Sequence, residues 1–214
     1  MMASERPVVG IDVGVNKGYH VVLLQGNEFT TRKPFHSASE VAQWCDDVNA
    51  AIVAVDAPCK WAFHGKSRQC ERELEIGDAK IHSFKTPQEF VAKGRPFYEW
   101  VRRGQLLYSE LKDRRYELFE CATTARRIMI ETFPNAVVCA LEGRVVKARP
   151  KARTRRDLLS RLGYDHSALP SIDHVDAALC ALAAYSFENS QYRSFGQAID
   201  GLIVVPVTGY PNVR

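Results

Sequence analysis

The sequence predicts an α/β fold: a mixed sheet of three antiparallel strands followed by parallel ones, flanked by helices on both faces. Three observations carry this. An early tight turn at Gly26-Asn27 separates two apolar runs. Short β-branched runs then alternate with helical periodicities, which is the mark of parallel crossover units. Three of the apolar segments end in or contain an acid, at Asp12, Asp56 and Glu131. In open α/β sheets the carboxyl ends of strands are where ligands bind.

At 214 residues the chain has the length of one domain, residues 1–214, with an irregular insertion at about 59–96. A chain of that size buries roughly 70% of its unfolded surface, so it needs no disulfides or metal staples. The six cysteines form no C-x-x-C pair and read as small core residues rather than a zinc site. The longest apolar run near the C-terminus, residues 177–185, is far short of the ~20 residues of a membrane span. Residues 1–7 carry Glu5 and Arg6 without an apolar core, which does not fit a secretory signal. The expectation is a cytoplasmic protein with no membrane partner.

Residues 7–13 form the first expected strand, residues 19–24 the second and residues 28–35 the third. A helix is expected over 39–48. Ser37 and Glu40 have the spacing of a capping box, and Val41, Trp44, Cys45 and Val48 mark one buried stripe. Residues 51–55, closed by Asp56-Ala57-Pro58, read as a buried parallel strand. Within the insertion, residues 68–76 read as a helix ending at Gly77, and the segment covers the carboxyl edge of the sheet as a possible lid.

A long helix is expected over 97–112, weakened at Gly104 by about 1 kcal/mol relative to Ala. Residues 116–120 fit either a strand or a helix end. Residues 128–133 read as a strand stopped by Pro134. A helix over 154–162 is expected to be capped by Thr154 with Asp157, an Ala-rich helix over 172–187 to lie close on the sheet, and residues 201–207 to form a last strand.

An acid in an apolar strand is costly unless paired or metal-bound. Asp173 and Asp176, three apart at the start of the Ala-rich helix, share a face and add to Asp12 and Asp56. Helix N-termini favour acids through capping and the dipole, which suffices for Asp173; Asp176 directly precedes the apolar run and is expected to face the sheet. A convergent set of carboxylates suits Mg²⁺ or Mn²⁺, and such ions can drive phosphodiester hydrolysis. The expected metal ligands are Asp12, Asp56 and Asp176, with Glu131 or Asp173 completing the catalytic set.

No P-loop, G-x-G-x-x-G or G-x-S-x-G is present, and the histidines form no ligand-spaced cluster. Net charge is +4, and basic residues concentrate between Arg144 and Arg161. That run fits a phosphate-contacting strip and equally a solvated loop and helix face.

The ordered set Gly-Ile-Asp12-Val-Gly, Val-Ala-Val-Asp56-Ala-Pro, Arg68-Gln-Cys-Glu-Arg-Glu-Leu, Glu131-Thr-Phe-Pro and Asp173-His-Val-Asp176-Ala-Ala resembles the family DUF429, described as predicted nucleases of ribonuclease-H fold. A more distant similarity is to RuvC-type Holliday-junction resolvases. Their first-strand Asp, fourth-strand acid and D-x-x-D pair match Asp12, Asp56, Asp173 and Asp176. This chain departs from them in having Asp rather than Glu after the fourth strand, and a long insertion behind it. The resemblance implies a ribonuclease-H-like fold, a hydrolase using Mg²⁺ or Mn²⁺, and a DNA or RNA partner whose phosphates Arg68, Lys151, Arg155 and Arg156 would hold. Two other readings stay open: a non-catalytic nucleic-acid or nucleotide-binding module, and an actin-like phosphotransferase, whose first phosphate loop Gly-Ile-Asp-Val-Gly resembles.

Overall fold

The computed structural model describes residues 6–147 and 149–210. Residues 1–5, part of the segment read above for a secretory signal, lie outside them. Strands β1 (Val8–Val13), β2 (Tyr19–Gln25) and β3 (Glu28–Thr31) form the antiparallel opening. Strand β3 is shorter than expected, and only Phe35 returns to bridge Tyr19. Helix α1 (Ala38–Asp47) follows, with the Ser37–Glu40 capping box formed in both directions. Strand β4 (Ile52–Asp56) then lies parallel to β1.

The insertion holds four short elements. Helix α2 (Gln69–Glu73) ends before the hairpin β5 (Glu75–Ile76) and β6 (Ala79–Lys80), and α3 (Glu89–Ala92) follows. The expected helix over 68–76 is therefore cut to five residues. Leu74 leaves helical geometry, and the pair turns at Gly77, whose φ is +59°. After a 3₁₀ turn at Pro96–Tyr98 come α4 (Glu99–Asp113), β7 (Glu117–Leu118) and β8 (Ile128–Glu131).

Helix α5 (Pro134–Glu142) was not expected. Pro134, read as a strand stop, occupies the first turn of a helix, where its missing N–H costs nothing. Helix α6 (Lys151–Arg161) starts three residues before the expected cap. Thr154 lies inside it, and its hydroxyl donates to the Pro150 carbonyl. Helix α7 (Ile172–Glu188) is followed by β9 (Tyr192–Gln197), also unexpected, and β10 (Gly201–Pro206). Strand β9 carries exposed Arg193 and Ser194 with little alternation to betray it.

The sheet order is β3-β2-β1-β4-β8-β10-β9, with β7 paired to β8. Strands β1, β4, β8 and β10 are mutually parallel, and β2 runs against β1. This is the ribonuclease-H-like arrangement. Strand residues alternate between two cores. Val8, Ile52, Ala54, Ile128 and Ile130 face α5, α6 and α7. Val9, Ile11, Val53, Val55 and Met129 face α1 and α4.

Two glycines set helix positions. A Cβ on Gly10 would stand 2.0 Å from the Ala177 carbonyl oxygen and 2.2 Å from the Ala181 nitrogen. Helix α7 thus lies directly on β1, as its small side chains allow. A Cβ on Gly104 would stand 2.4 Å from that of Ala57, so α4 packs against the residue after Asp56. Gly104, which weakens the helix locally, is the residue that fits this approach.

Gly10→Ala should cost about 3 kcal/mol or more in urea unfolding, because backbone and not a flexible side chain blocks the new methyl. Gly26→Ala, with open space around it but a φ of +59°, should cost only about 1 kcal/mol. Equal losses would contradict the close approach of α7.

Candidate active site

The pleat decides which acids meet. Asp12 pairs in register with Asp56 across the parallel β1–β4 ladder, and with His20 across β1–β2. Asp12 is in phase with Val8 and Gly10, and Asp56 with Ile52 and Ala54, so both carboxylates sit on the face that α7 covers. Because α7 is held down at Gly10, its first turn overhangs Asp12 two residues further along the strand. That turn brings Asp173 and Asp176.

Asp12 and Asp56 lie side by side, and each acts on the other's proton affinity. Burial, followed by the charge of Asp173, pushes Asp12 up to about 6, against the opposing influence of Lys151 and Arg155. Burial and the neighbouring Asp12 push Asp56 well above the usual carboxylate range. The pair therefore holds protons that free carboxyls would release.

Asp176 is buried and forms ion pairs with Lys151 and Arg155, both from the first turns of α6. Burial, then the neighbouring Arg155, lowers the Lys151 amine; burial lowers Arg155 as well. Asp173 accepts from Lys17 Nζ at 2.8 Å. Burial pulls Asp173 upward, but Lys17 and His20 outweigh it and leave it below its ordinary value.

His20 was not singled out in the sequence. It is buried, with Nδ1 3.8 Å from Asp12 and Nε2 3.9 Å from Asp173. Its signal was the register, since the β1–β2 hairpin places it directly opposite Asp12. His174, its edge-on neighbour at 4.9 Å, has a structural job at the helix start, bonded to Ser171 Oγ and to the Arg32 carbonyl.

Three expected residues are placed otherwise. Glu131 is in register with Val55 and so shares the opposite face of the sheet from Asp12 and Asp56. Its carboxylate accepts from Arg68 Nη1 at 2.7 Å and Nη2 at 2.5 Å, and from the Cys59 amide at 2.9 Å. Arg68 is 1% exposed; burial would lower its guanidinium, but Glu131 more than compensates. Arg68 also donates through Nε to Glu71 at 2.9 Å, and Glu71 accepts from the Thr86 amide. The expected phosphate ligand Arg68 and the expected catalytic Glu131 are instead bonded to each other, and together they fasten the insertion to the sheet. Arg156 donates to the Leu169 and His166 carbonyls and pins the loop before α7.

The residues fit a divalent cation in a restricted way. Among the described residues, no three His, Cys, Asp or Glu side chains form a ready-made ligand group. The expected trio of Asp12, Asp56 and Asp176 is divided, with the first two paired and the third held by cations. Mg²⁺, however, usually takes one or two carboxylates and completes its shell with water and substrate phosphate. A half-buried carboxylate pair with raised proton affinity meets that requirement.

A cavity of about 380 Å³ opens at the carboxyl ends of β4 and β8, and its lining includes Asp56, Asp176, Lys151 and Arg155 together with Phe84, Phe97 and Trp100. No helix among the described residues is long and apolar enough to cross a membrane.

Fold and site together define a ribonuclease-H-like α/β protein with aspartates gathered at its strand ends. The family model for DUF429, a protein of unknown function, matches residues 10–200, and the chain belongs to that family. Among solved structures, the chain is similar to Thermus thermophilus RuvC at 19% identity, over 86% of this chain and 96% of that one, with a TM-score of 0.40. No curated protein matches the sequence.

Asp12→Asn should stabilise the protein at neutral pH. With Asp12 raised to about 6 in the folded state and near 3.8 unfolded, the folded chain holds the extra proton, so wild-type stability falls as pH rises through that window. The asparagine variant should gain roughly 2–3 kcal/mol at pH 7 and almost nothing at pH 4 in urea unfolding. A variant less stable at pH 7 would refute the strained pair. Arg68→Met should instead cost about 3–5 kcal/mol by leaving Glu131 buried and unpaired. A fully stable Arg68→Met protein would restore a ligand role for Arg68.

Proposed function

We propose that the protein is a divalent-metal-dependent nuclease that hydrolyses phosphodiester bonds in DNA or RNA, using Mg²⁺ or Mn²⁺ at Asp12 and Asp56. The observation that carries this is the in-register Asp12–Asp56 pair, half-buried at the strand ends and short of its ordinary charge. Two carboxylates forced together against their own repulsion favour a cation. A divalent ion held there supplies Lewis-acid polarisation of a phosphoryl oxygen and a bound water of lowered pKa.

The chain's own groups supply the rest. Lys151 and Arg155 stand beside the pair as cations aimed into the cavity, positioned to attract a phosphodiester and to balance charge on its oxygens. Their pairing with Asp176 holds them in place while the cavity is free of substrate. A phosphate that draws them away would release the Asp176 carboxylate toward the site. His20 and Asp173 stand on the other flank of Asp12, His20 Nδ1 3.8 Å from its carboxylate. The insertion, fastened through Arg68–Glu131, roofs the cavity and limits the access of bulk water.

A second reading, a nucleic-acid-binding module without turnover, draws on the same Asp176 bridges, which neutralise one expected ligand. Activity separates the two. Wild type should cleave labelled DNA or RNA with Mn²⁺, and Asp12→Asn should lose at least about a hundredfold while remaining folded. The cleavage rate should climb between pH 5 and 7 as Asp12, near 6, gives up its proton. Full activity in Asp12→Asn rejects the assignment, and a wild type that binds but never cleaves selects the second reading.

A further inference from the structure

Aromatic rings share the lining of the cavity with Asp56 and Asp176. Phe84 of the insertion, Phe97 of the 3₁₀ turn and Trp100 of α4 line it together with Lys151 and Arg155. Phe84 is 59% exposed and Phe97 55%, an arrangement that forgoes burial for two large apolar side chains. The rings meet edge to face. Phe84 stands 5.7 Å from Phe97 at 67° and 6.3 Å from Trp100 at 61°, and Phe97 stands 5.0 Å from Tyr98 at 86°. None of these pairs is stacked face on face, and with more than half of each side chain exposed, Phe84 and Phe97 keep ring surface open.

We infer that this wall is a stacking platform for unpaired nucleobases, so that the preferred ligand is single-stranded nucleic acid rather than a duplex. The inference rests on the nuclease reading for its nucleic-acid ligand and adds the substrate class. Two chemistries share the lining of one cavity of about 380 Å³: apolar rings, and cations beside carboxylates. A nucleotide has the same division, with a flat base for the rings and an anionic phosphate for Lys151 and Arg155. A duplex buries its base faces in its own stack and can offer this wall only backbone. An unpaired strand offers a base at every residue, and such stacking tolerates any base because each has a π-face. An apolar peptide would match the rings but leave Lys151 and Arg155 without an anionic counterpart.

The test uses the full chain without divalent metal, so that binding is read apart from cleavage. Fluorescence anisotropy would compare a labelled oligothymidylate about a dozen residues long, an abasic strand of equal length, and a blunt duplex. The single strand should bind most tightly, because the abasic strand keeps the phosphates and loses the bases. In Phe84→Ala/Phe97→Ala, single-strand affinity should fall at least about tenfold, with the weak duplex and abasic affinities unchanged. Should that variant fold poorly, Phe84→Leu/Phe97→Leu keeps the apolar volume without the ring faces and should show the same loss.

A duplex bound as tightly as the single strand overturns the inference, as does a variant whose single-strand affinity is unchanged. If sedimentation shows wild-type self-association that the variant loses, with oligothymidylate binding intact, the wall belongs to a second copy of the chain and the inference falls. Tight single-strand binding without metal-dependent cleavage would leave the platform standing and defeat the nuclease reading. Cleavage that survives with unchanged affinity in the variant would do the reverse.

Discussion

The close approach of α7 to β1 at Gly10 governs the site. With 2.0 Å between a hypothetical Cβ and the Ala177 carbonyl oxygen, no other residue fits there without displacing the helix. A helix rises about 1.5 Å per residue, so fixing residue 177 fixes Asp176 one residue earlier and Asp173 about one turn earlier. Strand geometry places Asp12 two residues past Gly10 on the same face. The acidic cluster follows from one glycine, one Ala-rich helix and the pleat.

The second constraint is electrical. Asp12 and Asp56 are placed side by side by parallel pairing, and the fold bears the cost as raised proton affinity. Lys151, Arg155 and Lys17 ring the cluster, and each is paired with Asp176 or Asp173 rather than with Asp12 or Asp56. The least compensated carboxylates are therefore the two at the strand ends. Sites that store such strain are frequently functional, because a ligand of the right charge recovers the energy on binding.

Much of this was legible in the sequence because it depends on period and spacing. The positions of Asp12 and Asp56 at strand ends, the i, i+3 spacing of Asp173 and Asp176, the Ser37 cap and the Ala-rich packing face all followed from local pattern. What escaped was tertiary. Glu131 looked like Asp12 and Asp56 because it closes an apolar run, yet counting by two from Met129 and from Val55, its partner in register, puts it on the far face. Arg68 looked like a free cation, and only the folded insertion shows it enclosed with Glu131 and Glu71. Pro134 begins a helix as readily as it ends a strand, so α5 was hidden. His20 gained its place from the hairpin register, which no residue-type pattern announces.

The most direct measurement is calorimetric titration of Mn²⁺ into the protein at pH 5 and pH 7, repeated with Asp12→Asn and Asp56→Asn. An aspartate pair acting as a cation seat requires saturable binding at pH 7, weaker binding at pH 5 where the pair keeps its protons, and loss of binding in both variants. Binding that ignores pH and survives either substitution would show that the ion sits elsewhere, or that the pair is only a cost of the fold.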